Sequence, residues 1–183
     1  MLPFTKCNLK LDVSELFDDL KNLIWVRYAY NMPTCILPDK YKNELMRIFK
    51  LPKEAYIVVH NLEPIHNMEP KDIPYLTGWH IDSHRDSAIM IPISPDNPNH
   101  YTEFVVGTKV EKAPYTRGVP LLFNVKALHK VTNKDPILPR NIIAIGLPNI
   151  TYDNLVQQYQ TGQLIDKNNF GNNLFNSTKL SNV

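Results

Sequence analysis

The segment Gly78-Trp79-His80-Ile81-Asp82 places an imidazole and a carboxylate two residues apart. On a strand, residues i and i+2 share a face, so His80 and Asp82 can chelate one ion. Imidazole nitrogen with carboxylate oxygen suits a divalent first-row metal, and a second imidazole would complete a facial triad with open coordination positions. His129 is the candidate for that imidazole. It lies 49 positions beyond His80, follows the apolar run Leu121-Leu122-Phe123-Asn124-Val125, and opens the run His129-Lys130-Val131-Thr132-Asn133. His84 continues the parity of His80 and Asp82, but on a straight strand i and i+4 lie about 13 Å apart, too far to share one ion. It reads instead as a residue that supports the ligands or faces a substrate. His60, His66 and His100 read as surface or loop residues.

Eleven positions after His129 comes Arg140, at the start of the apolar run Asn141-Ile142-Ile143-Ala144-Ile145-Gly146. A guanidinium at the mouth of a mostly apolar pocket is suited to bidentate binding of a carboxylate. Arg85 is a rival anchor, because it follows the His-X-Asp closely enough to face the same pocket. Each residue also has a plainer reading. His80 and Asp82 could be a chance pair at a solvated strand end, His129 a core histidine bonded to a carbonyl, and Arg140 a strand-end ion pair with Asp135.

The elements that must position these groups follow from periodicity. Asp12 as N-cap with Glu15 three residues on reads as a helix start. Leu16, Leu20, Leu23 and Ile24 then share one face, predicting a helix ending near Trp25. A second helix is predicted from Asp39 to about Phe49, bracketed by Pro38 and Pro52. Strands are predicted over 55–60, 78–82, 87–93, 102–107, 119–125, 129–133 and 141–147, and a last helix over 152–160. Ile89-Met90-Ile91-Pro92-Ile93 and Ile142-Ile143-Ala144-Ile145 have no polar side chain, as in strands covered on both faces. The N-terminal helices are therefore expected on one outer sheet face. The tail after Asp166 is rich in Asn and Ser and could dock through Phe170, Leu174 and Phe175.

At 183 residues the chain fits one domain. It divides into a helical N-terminal support (1–54), a jelly-roll core (55–147) and a C-terminal helix and tail (148–183). Hydrophobic residues make up 43% and charged residues 21%, an ordinary globular mix. A net charge of +2 gives no strong nucleic-acid or acidic-lipid signal. Only Cys7 and Cys35 are present, too few for a disulfide framework and without metal-finger spacing. No run approaches the roughly 20 apolar residues of a membrane span, and the expected location is cytoplasmic. With 15 prolines and 6 glycines between short apolar runs, the pattern suits strands and turns. The expected fold class is mainly β with flanking helices, a jelly roll.

The ordered set His-X-Asp, distal His and Arg resembles the iron(II)- and 2-oxoglutarate-dependent dioxygenases. The wording around it is similar as well: Trp79-His80-Ile81-Asp82 with Arg85 and Ile91-Pro92-Ile93, then Leu122-Phe123-Asn124 before His129-Lys130-Val131-Thr132-Asn133. It is similar to the branch that holds aspartyl/asparaginyl and prolyl hydroxylases, over roughly residues 57–147. The resemblance implies a double-stranded β-helix of cupin type, with Fe(II) held by His80, Asp82 and His129. It implies 2-oxoglutarate chelated at the metal, its far carboxylate on Arg140, and dioxygen at the last position. The family often has a Ser or Thr two residues after that Arg, and Ile142 stands there. The hydroxyl partner would come from Tyr101 or Thr102, or be absent. The implied activity is hydroxylation of a peptide, amino acid or other small molecule. A non-oxidative cupin-type metal enzyme and a catalytically silent jelly-roll binding domain are the competing readings. Substrate selection would fall to residues 62–77, 94–101 and 109–117, which contain Tyr75, His100, Tyr115 and Arg117.

Overall fold

In the computed structural model, which describes residues 1–27, 33–64, 78–166 and 177–179, the strand Arg140–Leu147 is buried along its whole length. Its two faces join different cores. Ile143, Ile145 and Leu147 pack with the helices, while Ile142 and Ala144 pack into the space between two sheets. Ser87–Pro92 beside it is buried throughout in the same way, with Ile89 and Ile91 on the helical side and Ala88 and Met90 on the other.

These two strands, β11 (Arg140–Leu147) and β6 (Ser87–Pro92), lie in a seven-stranded antiparallel sheet. The others are β1 (Phe4–Lys6), β3 (Trp25–Arg27), β4 (Pro33–Ile36), β5 (Tyr56–Leu62) and β9 (Leu121–Phe123), in the order β1-β9-β6-β11-β5-β4-β3. A three-stranded antiparallel sheet, β10-β7-β8, is built from β7 (His100–Val106), β8 (Lys109–Pro114) and β10 (His129–Asn133). Phe104 and Ala113 of the small sheet pack with Met90, Phe123, Ile142 and Ala144 of the large one, so the sheets face each other as a sandwich. β2 (Leu9–Leu11) pairs with β12 (Ser177–Lys179). The fold is the expected jelly roll, mainly β with few helices.

Helices α1 (Ser14–Asp19), α2 (Asp39–Ile48) and α3 (Tyr152–Gln160) lie on the outer face of the large sheet. α2 and α3 fall where periodicity puts them. α2 follows Pro38, whose fixed φ and missing N–H suit a helix start. α3 is capped by Thr151, whose side chain accepts from the Asn154 amide at 3.4 Å.

The first helix departs from expectation. It ends at Asp19, continues as a 3-10 turn over Leu20–Asn22, and Trp25 opens β3. Asp12 accepts from the Ser14 amide at 3.0 Å, but Val13 takes the N-cap position. Pairing of Trp25 with Cys35 across β3 and β4 outweighs helix continuation, and Ile24 is left 83% exposed rather than on the buried face. The first 54 residues thus add four strands as well as two helices. Residues 78–82 are not a strand either: only His80 makes a bridge, to His129. β8 occupies residues expected to be a loop. The tail contacts of Phe170, Leu174 and Phe175 fall outside the described residues. No helix among the described residues is long and apolar enough to cross a membrane, and both cysteines are free and buried.

Ile143 is fully buried against α2 and α3 on the central strand. Ile143→Ala should lower unfolding free energy by about 3 kcal/mol, the cost of a cavity that cannot collapse between a sheet and helices. Urea denaturation would read this as a lower midpoint at unchanged slope.

Candidate metal centre

Two backbone hydrogen bonds stitch the centre together. The His80 amide donates to the His129 carbonyl at 2.8 Å and the His129 amide donates back at 2.9 Å. This bridge makes residues 78–82 a short edge beside β10, so two segments far apart in sequence present both imidazoles together, with ring centroids 4.4 Å apart. Asp82 is fixed by its own amide, which donates to the Val125 carbonyl at 2.9 Å. Lys126 spans the following turn, its ammonium 3.1 Å from the Asp82 carbonyl and 3.3 Å from the Asp86 carboxylate.

The side chains are aimed by bonds of one kind. His80 Nδ1 lies 2.8 Å from the Gly78 carbonyl and His129 Nδ1 lies 2.9 Å from the Ala127 carbonyl. A carbonyl only accepts, so each Nδ1 carries a proton, which in a neutral imidazole leaves the Nε2 lone pair for a ligand role. His80 Nε2 is 3.8 Å from Asp82 Oδ1, and one donor atom from each of His80, Asp82 and His129 lies within 4.8 Å of the others. Cis ligands around one ion at 2.0–2.2 Å bonds stand about 3 Å apart, so an ion would draw the set together by about an ångström. Phe104 stacks on the His129 ring at 5.5 Å. The donor set fits a first-row divalent ion with a facial triad.

Electrostatics favour the ligand forms. Burial raises the Asp82 carboxyl, but the charge and hydrogen bond of Arg85 outweigh it and leave it below the ordinary range. Arg85 Nε donates to Asp82 Oδ2 at 2.5 Å, both side chains being about nine-tenths covered. Burial holds His129 below its usual value, only partly opposed by the Ala127 carbonyl.

Arg140 points into the same interior. Its guanidinium donates to the Tyr115 hydroxyl, lies 3.5 Å from Thr102 Oγ1, and packs 4.1 Å over the Tyr115 ring. The two hydroxyls are themselves 2.7 Å apart. No carboxylate among the described residues pairs with this guanidinium, and its buried Nε has no partner. Burial alone lowers Arg140 to about 9, so it stays charged at neutral pH. Of the expected hydroxyl partners, Thr102 is beside Arg140 and Tyr101 is not. Tyr101, one residue along β7, takes the other face, with the Lys112 ammonium 4.3 Å over its ring.

Three interior residues stand elsewhere than the sequence places them. Tyr115 was placed only in a loop. His60, expected at the surface, is on β5 opposite Ile142 and bonds Thr34 Oγ1 at 3.1 Å. It is partly buried and lies within the fields of both Arg140 and Asp82. His100, also expected at the surface, is buried on the interior parity of β7. Only the even spacing of His60 with Tyr56 and Val58 could have marked it. His84 is not among the clustered donors and sits 5.9 Å from the Tyr56 ring. His66 and Tyr75 lie outside the described residues.

His60, His84, His100 and His129 are all held below their ordinary range, burial being the first cause in each, and His60 falls to about 3. The unfolded chain takes up these protons near pH 6.5, the folded chain only at lower pH. Their contribution to stability is fully present above pH 6.5 and is lost as pH falls below it. For His60 the slope approaches about 1.4 kcal/mol per pH unit. Melting of the metal-free protein should drop in temperature from pH 7.5 to 5, and His60→Asn should flatten that drop. A flat or rising profile would mean that these imidazoles are not held neutral.

No family model matches the chain, and no curated protein does. Solved structures share the fold. EvdO2 from Micromonospora carbonacea var. aurantiaca aligns over 80% of this chain and 87% of its own, at TM-score 0.51 and 12% identity. SnoN, a non-haem alpha-ketoglutarate-dependent epimerase from nogalamycin biosynthesis, aligns over 75% and 71% at TM-score 0.49 and 14% identity. The viral collagen prolyl hydroxylase of Paramecium Bursaria Chlorella virus-1, in its 2-oxoglutarate complex, aligns over 79% and 94% at TM-score 0.44 and 12% identity. At 12% identity the likeness to EvdO2 concerns the architecture alone.

Proposed function

We propose that this chain is an iron(II)- and 2-oxoglutarate-dependent dioxygenase that hydroxylates a peptide, amino acid or other small molecule. The observation that carries the reading is the pairing of a His-Asp-His donor set with a buried guanidinium that no carboxylate among the described residues neutralises. A buried cation without a counter-ion is costly, and an incoming anion relieves that cost. The spacing also suits a short dicarboxylate. His129 pairs with Phe104, and Thr102 beside Arg140 is two residues along the same strand, a step of about 7 Å. A molecule chelated at the triad can therefore reach Arg140 with its far carboxylate.

His80, Asp82 and His129 would hold the iron, which when bound supplies the activation of dioxygen that no side chain can provide. The protein's own part is positional. The backbone bridge fixes the two imidazoles, and Gly78 and Ala127 keep both Nδ1 protons away from the metal side. Arg140, with the Tyr115 and Thr102 hydroxyls, would orient the keto acid and so fix which open positions it takes. Phe104, Phe123, Met90 and Val125 keep that end of the interior dry. Residues 94–99, and β8 with Tyr115, are candidates for substrate selection.

The test is cosubstrate turnover. Purified protein with iron(II) and 2-oxoglutarate should release succinate and carbon dioxide slowly even without substrate, and the keto acid should quench tryptophan fluorescence. Absence of both, with iron bound, would overturn the reading in favour of a different metal-dependent jelly roll.

A further inference from the structure

We propose that Arg85 is a positioning residue that confines Asp82 to ligation through one oxygen, and that Tyr56, laid across Gly146, keeps Arg85 in place. This rests on the metal reading above and goes beyond it. The two oxygens of Asp82 are not equivalent. Oδ1 faces His80 Nε2 at 3.8 Å, while Oδ2 takes the Arg85 Nε proton at 2.5 Å. An oxygen in so short a charge-assisted bond has one lone pair and much of its charge committed to the guanidinium, which makes it a poor second ligand. A carboxylate free at both oxygens can close on an ion as a two-oxygen chelate, which removes one open coordination position. Arg85 blocks that mode and keeps the position available for cosubstrate or dioxygen.

What packs beside the turn that carries Arg85 is built into the large sheet. Gly146 of β11 is paired with Tyr56 of β5, and a Cβ at Gly146 would collide with the Tyr56 ring and hydroxyl. Glycine therefore lets the ring lie flat across the neighbouring strand. Laid there, the Tyr56 hydroxyl is buried and has no hydrogen-bond partner among the described residues. The ring also sits beside His84, 5.9 Å away, in the turn that carries Arg85. Gly146 thus acts on the metal through Tyr56, Arg85 and Asp82 in turn, without touching it.

The test loads the full-length protein with Mn(II) alone and measures water-proton relaxivity, which counts metal-bound waters. Arg85→Met should free Oδ2 to join the ion and displace one water, lowering relaxivity by roughly a third of the wild-type enhancement. Gly146→Ala should shift relaxivity in the same direction by expelling the Tyr56 ring, and Arg85→Lys should recover part of the loss. Circular dichroism confirms folding of each, and Gly146→Ala decides the matter if Arg85→Met does not fold. Unchanged relaxivity in both variants overturns the proposal. So does a selective loss of keto-acid affinity in Arg85→Met with waters unchanged, which would make Arg85 an anion anchor instead. Failure of the wild-type protein to bind Mn(II) at all would instead overturn the metal reading itself.

Discussion

Asp82→Ala is expected to abolish tight iron(II) binding, a larger loss than the roughly 10- to 100-fold that follows removal of a residue merely supporting a ligand. The variant removes the only carboxylate of the clustered donor set. Two imidazoles remain, which bring no negative charge to balance a divalent ion. It also strands Arg85, which is about nine-tenths covered and paired with Asp82, so a fall in folding free energy of about 3 kcal/mol should accompany it. Asp82→Asn separates the two effects. Its amide oxygen still accepts from Arg85, so stability should largely recover while iron binding stays weak. Competition titration with a chromophoric chelator reads affinity, and thermal melts read stability. An Asp82→Ala protein that is folded and binds iron as tightly as wild type would sink the triad.

Arg140→Leu carries the second expectation, with opposite signs in two measurements. Keto-acid affinity should fall by about 2–5 kcal/mol, the cost of losing one partner of a buried charge pair. Stability of the unliganded protein should hold or rise, because a buried guanidinium with no carboxylate partner among the described residues is replaced by an apolar group. The lost stacking on Tyr115, 4.1 Å away, offsets part of that gain. If Arg140 were a structural residue, its removal would lower the melting temperature and leave keto-acid binding alone. Isothermal titration with the iron-loaded protein, beside melts of the apo form, distinguishes the two cases.

Much of the fold was readable because the inner strands are long and apolar. Ile89-Met90-Ile91 and Ile142-Ile143-Ala144-Ile145 carry double burial on their face, and α2 and α3 carry full periodicity between clear stops. The short strands were not readable. β1, β2 and β3 have three residues each, too few to alternate visibly, and β8 is mostly exposed and charged. The first helix failed for a tertiary reason, since Trp25 gains more by pairing with Cys35 than by extending a turn.

At the site, donor atoms of His80, Asp82 and His129 cluster while Arg140 lies buried beside Tyr115 and Thr102, and the strand assumed for residues 78–82 is a single bridge. The His80–His129 bridge, not a shared strand face, brings the donors together. Tyr115 and His60 were hidden because their roles depend on which strands the topology brings opposite one another. No local spacing records that.

The His80–His129 bridge has a consequence for how the molecule holds itself together. Its two backbone hydrogen bonds close a loop of nearly fifty residues, and an ion bound by both imidazoles would close the same loop again through side chains. The metal would then behave as a removable cross-link. At a hundredfold excess over its dissociation constant it would add about 2.7 kcal/mol to the folded state. Because the backbone already sets the loop's ends, little further ordering would remain for the ion to impose. The apo protein would be a prepared receptacle, and iron supply would set how long each copy of the chain survives in the folded state.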